Sequence, residues 1–355
     1  MISIEVFSMP MPLAVPYRLS FALVERFDTF VVRLRDGDRI GYGEITPLPG
    51  YSDETVETVT SAITELVAAA RRGVSLDVAI EAILARAPMT VSGIRSALDV
   101  AAIGVEATLV TEIGRPIPLA AFCPGDTPAE AASNAARLAA EGFGTLKLKI
   151  ASASAAADLE RLRAVAAALP AGVILRLDAN QRLDHATADE FVKGLEGLPI
   201  ELLEQPFLPA ERAETRRLAA ISTVPIMLDE SVWTSADVAD AAALGARFVK
   251  FKLCKHPGIA ATRALIAEAR AAGLGVVFGN GVQSALGNRL EAFVYAAEDL
   301  STASEGNGFL KPVASPFPHR LRVEAGRLIA GSVGPLDPAL AGRDPIARMD
   351  FATVT

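Results

Sequence analysis

Apolar and polar residues alternate from the start of the chain. Ile2-Ser3-Ile4-Glu5-Val6-Phe7 puts every second side chain on one face, the period of a half-buried strand. Residues 9–21 (MPMPLAVPYRLSF) are studded with proline and predict a loop. Residues 27–45 predict two strands joined at Asp36-Gly37-Asp38, where glycine supplies positive φ. The period then changes to that of helices over 53–73, 76–87 and 90–110, with Ser52-Asp53 as the expected N-cap of the first. Strands followed by helices predict a small α+β domain over residues 1–115.

Beyond Arg115 short apolar runs alternate with alanine-rich helical stretches. The runs are IPLAAF, TLKLKI, VILRLDAN, IELLEQPF, VPIMLDES, FVKFKLC, GVVFGNG and DLSTASEG, eight βα units in all. The polar residues closing five of them, Lys149, Asp178, Glu204, Asp229 and Lys252, follow one another at intervals of 29, 26, 25 and 23 residues. That period is the size of a (β/α)₈ barrel unit, and barrel active sites lie at the C-terminal ends of the strands. An open doubly wound sheet shares the period, but no G-x-G-x-x-G follows the first strand. The barrel is expected over 116–311. The tail, 312–355, is rich in proline and glycine, carries no further strand–helix unit and is expected to return to the first domain.

Charge and composition narrow the function. The 34 Lys and Arg against 42 Asp and Glu leave a net charge of −8, which disfavours a nucleic-acid partner. Two cysteines, Cys123 and Cys254, cannot form a disulfide scaffold, and a reducing cytoplasmic setting is expected. No basic leader precedes an apolar run, and no uncharged run reaches bilayer length, so neither a signal peptide nor a membrane partner is expected. Only three histidines occur, His185, His256 and His319, so acid–base chemistry must fall to other residue types.

Those residues stand at the ends of the strands. In Leu146-Lys147-Leu148-Lys149 the two lysines share one face, and in Phe248-Val249-Lys250-Phe251-Lys252 two more do. Solvated lysines on an edge strand would be the ordinary reading of either pair. Between them, however, Asp178, Glu204 and Asp229 close successive strands and converge on a narrow mouth. Carboxylates that close raise one another's pKa unless a cation intervenes, and a hard divalent ion such as Mg²⁺ suits oxygen donors. No Cys or His cluster offers a zinc site. A lysine beside a second lysine and a metal ion loses affinity for its proton and becomes usable as a base.

Taken together, Lys147-x-Lys149, Asp178-Ala179-Asn180, Glu204-Gln205-Pro206, Leu228-Asp229-Glu230-Ser231 and Lys252 in FKLCKHPG resemble the enolase superfamily, muconate-lactonizing-enzyme subgroup, across the whole chain. The resemblance implies a modified (β/α)₇β barrel under an α+β cap completed by the tail. It also implies a proton abstracted α to a substrate carboxylate and an enediolate stabilised by Mg²⁺, with Mn²⁺ as a substitute. By the same resemblance Asp178, Glu204 and Asp229 are the metal ligands and Lys149 and Lys252 the two-faced acid/base pair. Lys147 holds the substrate carboxylate and tunes Lys149, Asn180 and Glu230 support the ligands, and the partners are a small carboxylate substrate and further copies of the chain. Parity does not separate Lys250 from Lys252; the motif favours Lys252. The seventh run ends Gly279-Asn280-Gly281 without histidine, unlike the mandelate-racemase branch.

Selectivity is expected from residues 11–21 and 47–52 of the cap and from the ends of strands seven and eight, with Tyr17, Tyr51, Asn280, Glu305 and Asn307 as candidates. The loop after Gly43-Glu44-Ile45-Thr46 is similar to that of o-succinylbenzoate synthases, and an N-acylamino-acid racemase shares the same expectation. Dipeptide epimerases commonly carry Asp-x-Asp where this chain has Glu305-Gly306-Asn307, which lowers that alternative; a muconate cycloisomerase is another. A Schiff-base aldolase barrel or a non-catalytic binding barrel would not need the three carboxylates. His185 and His256 are expected in surface or capping roles, and Cys254 as a small buried hydrophobe.

Overall fold

The structure, a computed structural model, describes residues 1–18, 23–151, 154–280 and 282–352. The first element is a long strand, β1 (Ile2–Arg18), paired antiparallel with β2 (Leu23–Asp36), which in turn pairs with β3 (Arg39–Ile45). The turn between β2 and β3 falls at the expected place, with Gly37 at φ 61°. The proline-rich stretch is a strand rather than the expected loop. Past Val6, among the described residues, the outer edge of β1 is met only by a short segment at Pro12 and Ala14, and prolines are accepted on an edge because the N–H they lack is not required there. Leu19, Ser20 and Phe21 of the expected specificity loop lie outside the described residues.

Helices Val56–Arg71, Leu76–Leu84 and Pro88–Ile103 cover one face of this sheet. Ile4, Val6, Val32 and Leu34 pack there against Ile63, Leu66, Ile80 and Ile94. Helix Pro88–Ile103 rides directly on β3. A Cβ on Gly41 or Gly43 would come within 1.8 or 1.9 Å of the carbonyl oxygen of Ala97 or Gly93, so only glycine allows this approach. The first helix is capped by Thr55, not Ser52-Asp53. The reason lies next to it: the buried carboxylate of Glu54 accepts from the backbone N–H groups of Met89 and Thr90 and caps the start of helix Pro88–Ile103 instead. That helix breaks at Gly104 (φ 108°), and the stretch expected to continue it follows as a separate π-helical turn, Glu106–Val110.

Seven parallel strands follow in ring order: β5 (Ala120–Phe122), β6 (Thr145–Lys149), β7 (Ile174–Asp178), β8 (Ile200–Glu204), β9 (Ile226–Leu228), β10 (Phe248–Phe251) and β11 (Gly275–Phe278). The expected first strand is divided: Ile117–Pro118 forms a short β4, and only Ala120–Phe122 joins the parallel sheet. The eighth run is an extended segment that closes the ring. Ser304 bonds through its N–H to Pro118 O and through its carbonyl to Ala120 N, and Glu305 N donates to Phe278 O. Leu146 and Leu148 face outward to Leu138, Leu162 and Val165, which turns Lys147 and Lys149 inward as the alternation predicts.

The tail is more ordered than expected. β12 (His319–Glu324) and β13 (Arg327–Val333) form a hairpin on β4, and β14 (Ala347–Phe351) adds to the outer edge of β1, with Ile2 opposite Phe351. Just before the hairpin, Leu310–Val313 crosses back to β1: Ala14 N donates to Lys311 O, and Val313 N to Pro12 O. No helix among the described residues is long and apolar enough to cross a membrane.

Candidate active site

The C-terminal ends of the strands open into a cavity of about 140 Å³, roofed by Tyr17, Leu48 and Tyr51 of the cap. Of the residues singled out in the sequence, Lys147, Lys149, Asp178, Asn180, Glu204, Asp229, Glu230 and Lys252 all reach this cavity. So do Tyr17, Tyr51, Asn280, Glu305 and Asn307. Register explains part of the convergence: Lys149 stands opposite Asp178 and Asp178 opposite Glu204, while Met227 is the residue opposite Glu204 and Asp229 follows two positions beyond it.

The two members of the strand-six pair, identical by parity, occupy different environments. Lys252 lines the cavity and donates to Asp229 Oδ2 at 2.6 Å and to Tyr51 Oη at 3.0 Å. Lys250 lies below, fully buried, bridging Glu204 Oε1 at 2.6 Å and Glu305 Oε1 at 2.8 Å. Lys147 bridges Asp178 Oδ2 at 2.9 Å and Glu204 Oε2 at 2.8 Å. Among the described residues Lys149 alone of these four lysines forms no ion pair within 4.0 Å.

Electrostatics differ accordingly. Burial lowers the pKa of Lys149. For Lys147 and Lys252 burial acts in the same direction, but the carboxylates around them outweigh it and hold both ammonium groups above their ordinary range. Asp229 is held well below the usual carboxylate range, since Lys252, Lys255 and Lys250 together overcome its burial. Burial, then the charge of Asp178, pushes Glu204 up to about 8.

As they stand, no group of three or more His, Cys, Asp or Glu side chains among the described residues is drawn together tightly enough to hold a metal ion, because ammonium groups lie between the carboxylates. The donor set nevertheless fits a hard divalent cation. Asp178, Glu204 and Asp229 are buried oxygen donors at one end of the barrel, and Glu230 Oε2 is buried beside them without a hydrogen-bond partner among the described residues. The Asn180 backbone N–H donates to Asp178 Oδ1 at 2.9 Å, and Asn180 itself has φ 42°, a left-handed turn that brings its amide back onto the carboxylate.

Several working parts escaped the sequence. Lys255, in a single turn after strand β10, donates to Asp229 O at 2.6 Å and stands 5.0 Å from the Trp233 ring. Gln205 (φ 36°) accepts from Asp229 N and donates to Ser231 Oγ, tying the loops after β8 and β9. Only its place in Glu204-Gln205-Pro206 could have drawn notice. Cys254 is buried, as expected, and burial raises its thiol to about 12.

His185 is half exposed and pairs with Glu211, but His256 is not at the surface: it is fully buried, edge-on to Phe251, with Nδ1 3.2 Å from Trp233 O. Burial and the neighbouring Lys255 lower its pKa to about 3. The folded state favours the neutral ring, so this contribution to stability is complete above the unfolded value near 6.5 and is lost as pH falls toward 3. Between pH 7 and 4.5 the loss from His256 should be about 2–3 kcal/mol. Urea unfolding of the protein and of His256→Asn, which keeps a donor for Trp233 O, measures it. Parallel pH profiles for the two proteins would remove His256 as the cause.

A ring of lysines and carboxylates on the rim of a parallel barrel, roofed by an antiparallel cap, places the chain in the class of capped barrels. Comparison with known proteins is more specific. Residues 130–335 match the family model of the enolase C-terminal domain-like proteins, and the chain belongs to this family. Residues 1–94 match the model of the MenC N-terminal domain. The chain is 28% identical over 303 residues to L-Ala-D/L-Glu epimerase of Bacillus subtilis, covering 81% of this chain and 82% of that protein. The muconate lactonizing enzyme of Pseudomonas fluorescens, solved with muconolactone, superposes with a TM-score of 0.80 at 26% identity over 95% of this chain and 97% of that one. A dipeptide epimerase of Cytophaga hutchinsonii, solved with Mg and D-Ala-L-Val, shares the fold with a TM-score of 0.79 at 23% identity over 98% and 99%.

Proposed function

We propose that this enzyme removes the proton α to a substrate carboxylate and then either returns a proton to that carbon or lets a β-group leave. The observation that carries this reading is that Lys149 and Lys252 line one cavity from different strands with Asp178, Glu204 and Asp229 between them. Lys147 would receive the substrate carboxylate, since its ammonium already binds carboxylate oxygens at hydrogen-bond distance. Lys149, the lysine without an ion pair, would take the proton, and Lys252, tied to Asp229 and Tyr51, would face the reacting carbon from across the cavity. Asp178, Glu204 and Asp229 would hold Mg²⁺ (or Mn²⁺), which when bound supplies positive charge to the carboxylate whose neighbour is deprotonated. Tyr51 and Leu48 of the cap would exclude water from the reacting carbon.

The outcome at the intermediate is proposed to be the syn dehydration of an o-succinylbenzoate synthase, the racemisation of an N-acylamino acid, or both in one site. One experiment tests the common core. With Mg²⁺ in D₂O, the protein should wash deuterium into the α-position of N-acylamino acids or turn over the cyclohexadiene precursor of o-succinylbenzoate. EDTA should abolish this and added Mg²⁺ restore it. Activity that survives EDTA, or borohydride trapping of the substrate on a lysine, would replace this reading with Schiff-base chemistry.

A further inference from the structure

Lys149 is not held at its tip, so its aim must be set from the backbone. Lys147, Lys250 and Lys252 are gripped by carboxylates at their ammonium ends, whereas Lys149 forms no ion pair among the described residues. On one side its strand is secured by pairing, with Ile150 N donating to Asp178 O at 2.9 Å. On the other side the ladder runs out. Lys147 O still accepts from Cys123 N at 2.8 Å, but β5 ends at Phe122, and Pro124 has no N–H to offer. Lys149 O therefore lies beyond the last paired residue of β5 and needs another donor.

Arg161 supplies it. From helix Ala155–Ala168 its Nη2 donates to Lys149 O at 2.5 Å and its Nη1 to Gly125 O at 3.1 Å, so one guanidinium ties together the chain just past β5 and the end of β6. Asp158, one turn earlier on the same helix, accepts from Arg161 Nη2 at 2.7 Å and from Ala151 N at 2.7 Å. Ala151 has φ 61°, a left-handed residue where the chain turns off the strand. Arg161 and Asp158 are only 8% and 2% exposed, so water competes little for these bonds. Neither side chain lines the cavity.

We propose that Arg161 and Asp158 are positioning residues for Lys149: by fixing Lys149 O and Ala151 N they aim its side chain at one face of the substrate. Lys252 has a separate anchorage, in Asp229 and Tyr51, and is aimed without them. The inference rests on the proposed chemistry for what Lys149 does once aimed, and not for the aiming itself.

Two readouts separate aim from chemistry. Trace acetic anhydride labels amines without turnover, and mass spectrometry reads each lysine. In Arg161→Met the labelling of Lys149, relative to the exposed Lys193, should rise about threefold or more. In D₂O with Mg²⁺, the same variant should slow α-proton exchange of one enantiomer of N-acetylphenylalanine about 30-fold in maximal rate, with KM within about threefold. Exchange of the other enantiomer should change less than about threefold, and the slowed one should be the one that Lys149→Ala abolishes. Arg161→Lys, which keeps a donor for Lys149 O, should recover most of the rate. If the enzyme only dehydrates, the maximal rate with the cyclohexadiene precursor should fall about 30-fold instead. Should Arg161→Met fail to fold, Asp158→Asn, which turns an amide NH₂ group toward the guanidinium, carries both readouts with the same expected signs.

Unchanged labelling of Lys149, or equal losses for the two enantiomers, overturns the positioning role. Faster labelling of Lys149 with no exchange or turnover even in the unmodified protein would uphold the positioning and remove the proton-abstraction reading, so the two fail separately.

Discussion

Lys149→Ala and Lys252→Ala should each lose about 10³-fold or more in turnover, while their unfolding midpoints stay close to that of the unmodified protein. Both side chains end in the cavity, and Lys149 forms no ion pair among the described residues, so its removal leaves little unsatisfied. Lys252 is different: its loss leaves Asp229 with Lys255 and Lys250 as its remaining cations, enough to keep that carboxylate paired. If the enzyme racemises its substrate, each variant should still exchange the α-proton of one enantiomer, and the two variants should retain opposite enantiomers. NMR in D₂O with each pure enantiomer reads this directly. If the reaction is a dehydration, one lysine suffices as base and the two losses should be unequal. Either variant turning over within tenfold of the unmodified protein would remove that lysine from the chemistry.

The second large effect is on stability. Glu44, from β3 of the cap, is buried and accepts from Ser284 N at 2.8 Å, Gly287 N at 2.9 Å, Thr46 Oγ1 at 3.0 Å and the Ser284 hydroxyl. It caps helix Ala285–Ala297 of the barrel from a different part of the chain, at the end where a negative charge is most favourable. Glu44→Ala should strand these donors in a dry interface and destabilise the protein by about 3–5 kcal/mol. Glu44→Gln, which keeps one acceptor, should cost about half as much. Denaturant midpoints settle it; a loss below about 1 kcal/mol for the alanine variant would mean that water replaces the carboxylate. Because Val282 and Asn280 precede this cap and line the cavity, the alanine variant should also weaken ligand binding.

What was legible in the sequence was local and periodic. Alternation alone turned Lys147 and Lys149 inward, and the regular spacing of Asp178, Glu204 and Asp229 brought them to one rim. The resemblance to a known family, not the spacing, supplied their roles. What was hidden depends on contacts between distant segments. Glu54 caps a helix 34 residues further on and Glu44 one 240 residues away, so neither could be told from a surface acid. Lys250 and Lys252 share parity, and only the depth of the barrel floor separates a buried bridge from a cavity wall. His256 looked like a loop residue because its neighbour is proline, yet Phe251 and Trp233 enclose it. Prolines made β1 read as a loop, since one sequence cannot show that a strand has an open edge.

That edge has a consequence for how the protein is made. β14 pairs with the opening residues of β1, yet it leaves the ribosome long after them, when the barrel strands have already emerged. Throughout synthesis the first sheet waits with one side unpaired, a surface on which another nascent chain could add a strand. The Ile2–Val6 end of β1 is therefore among the last parts of the cap sheet to gain a partner, long after its hairpin with β2 can form.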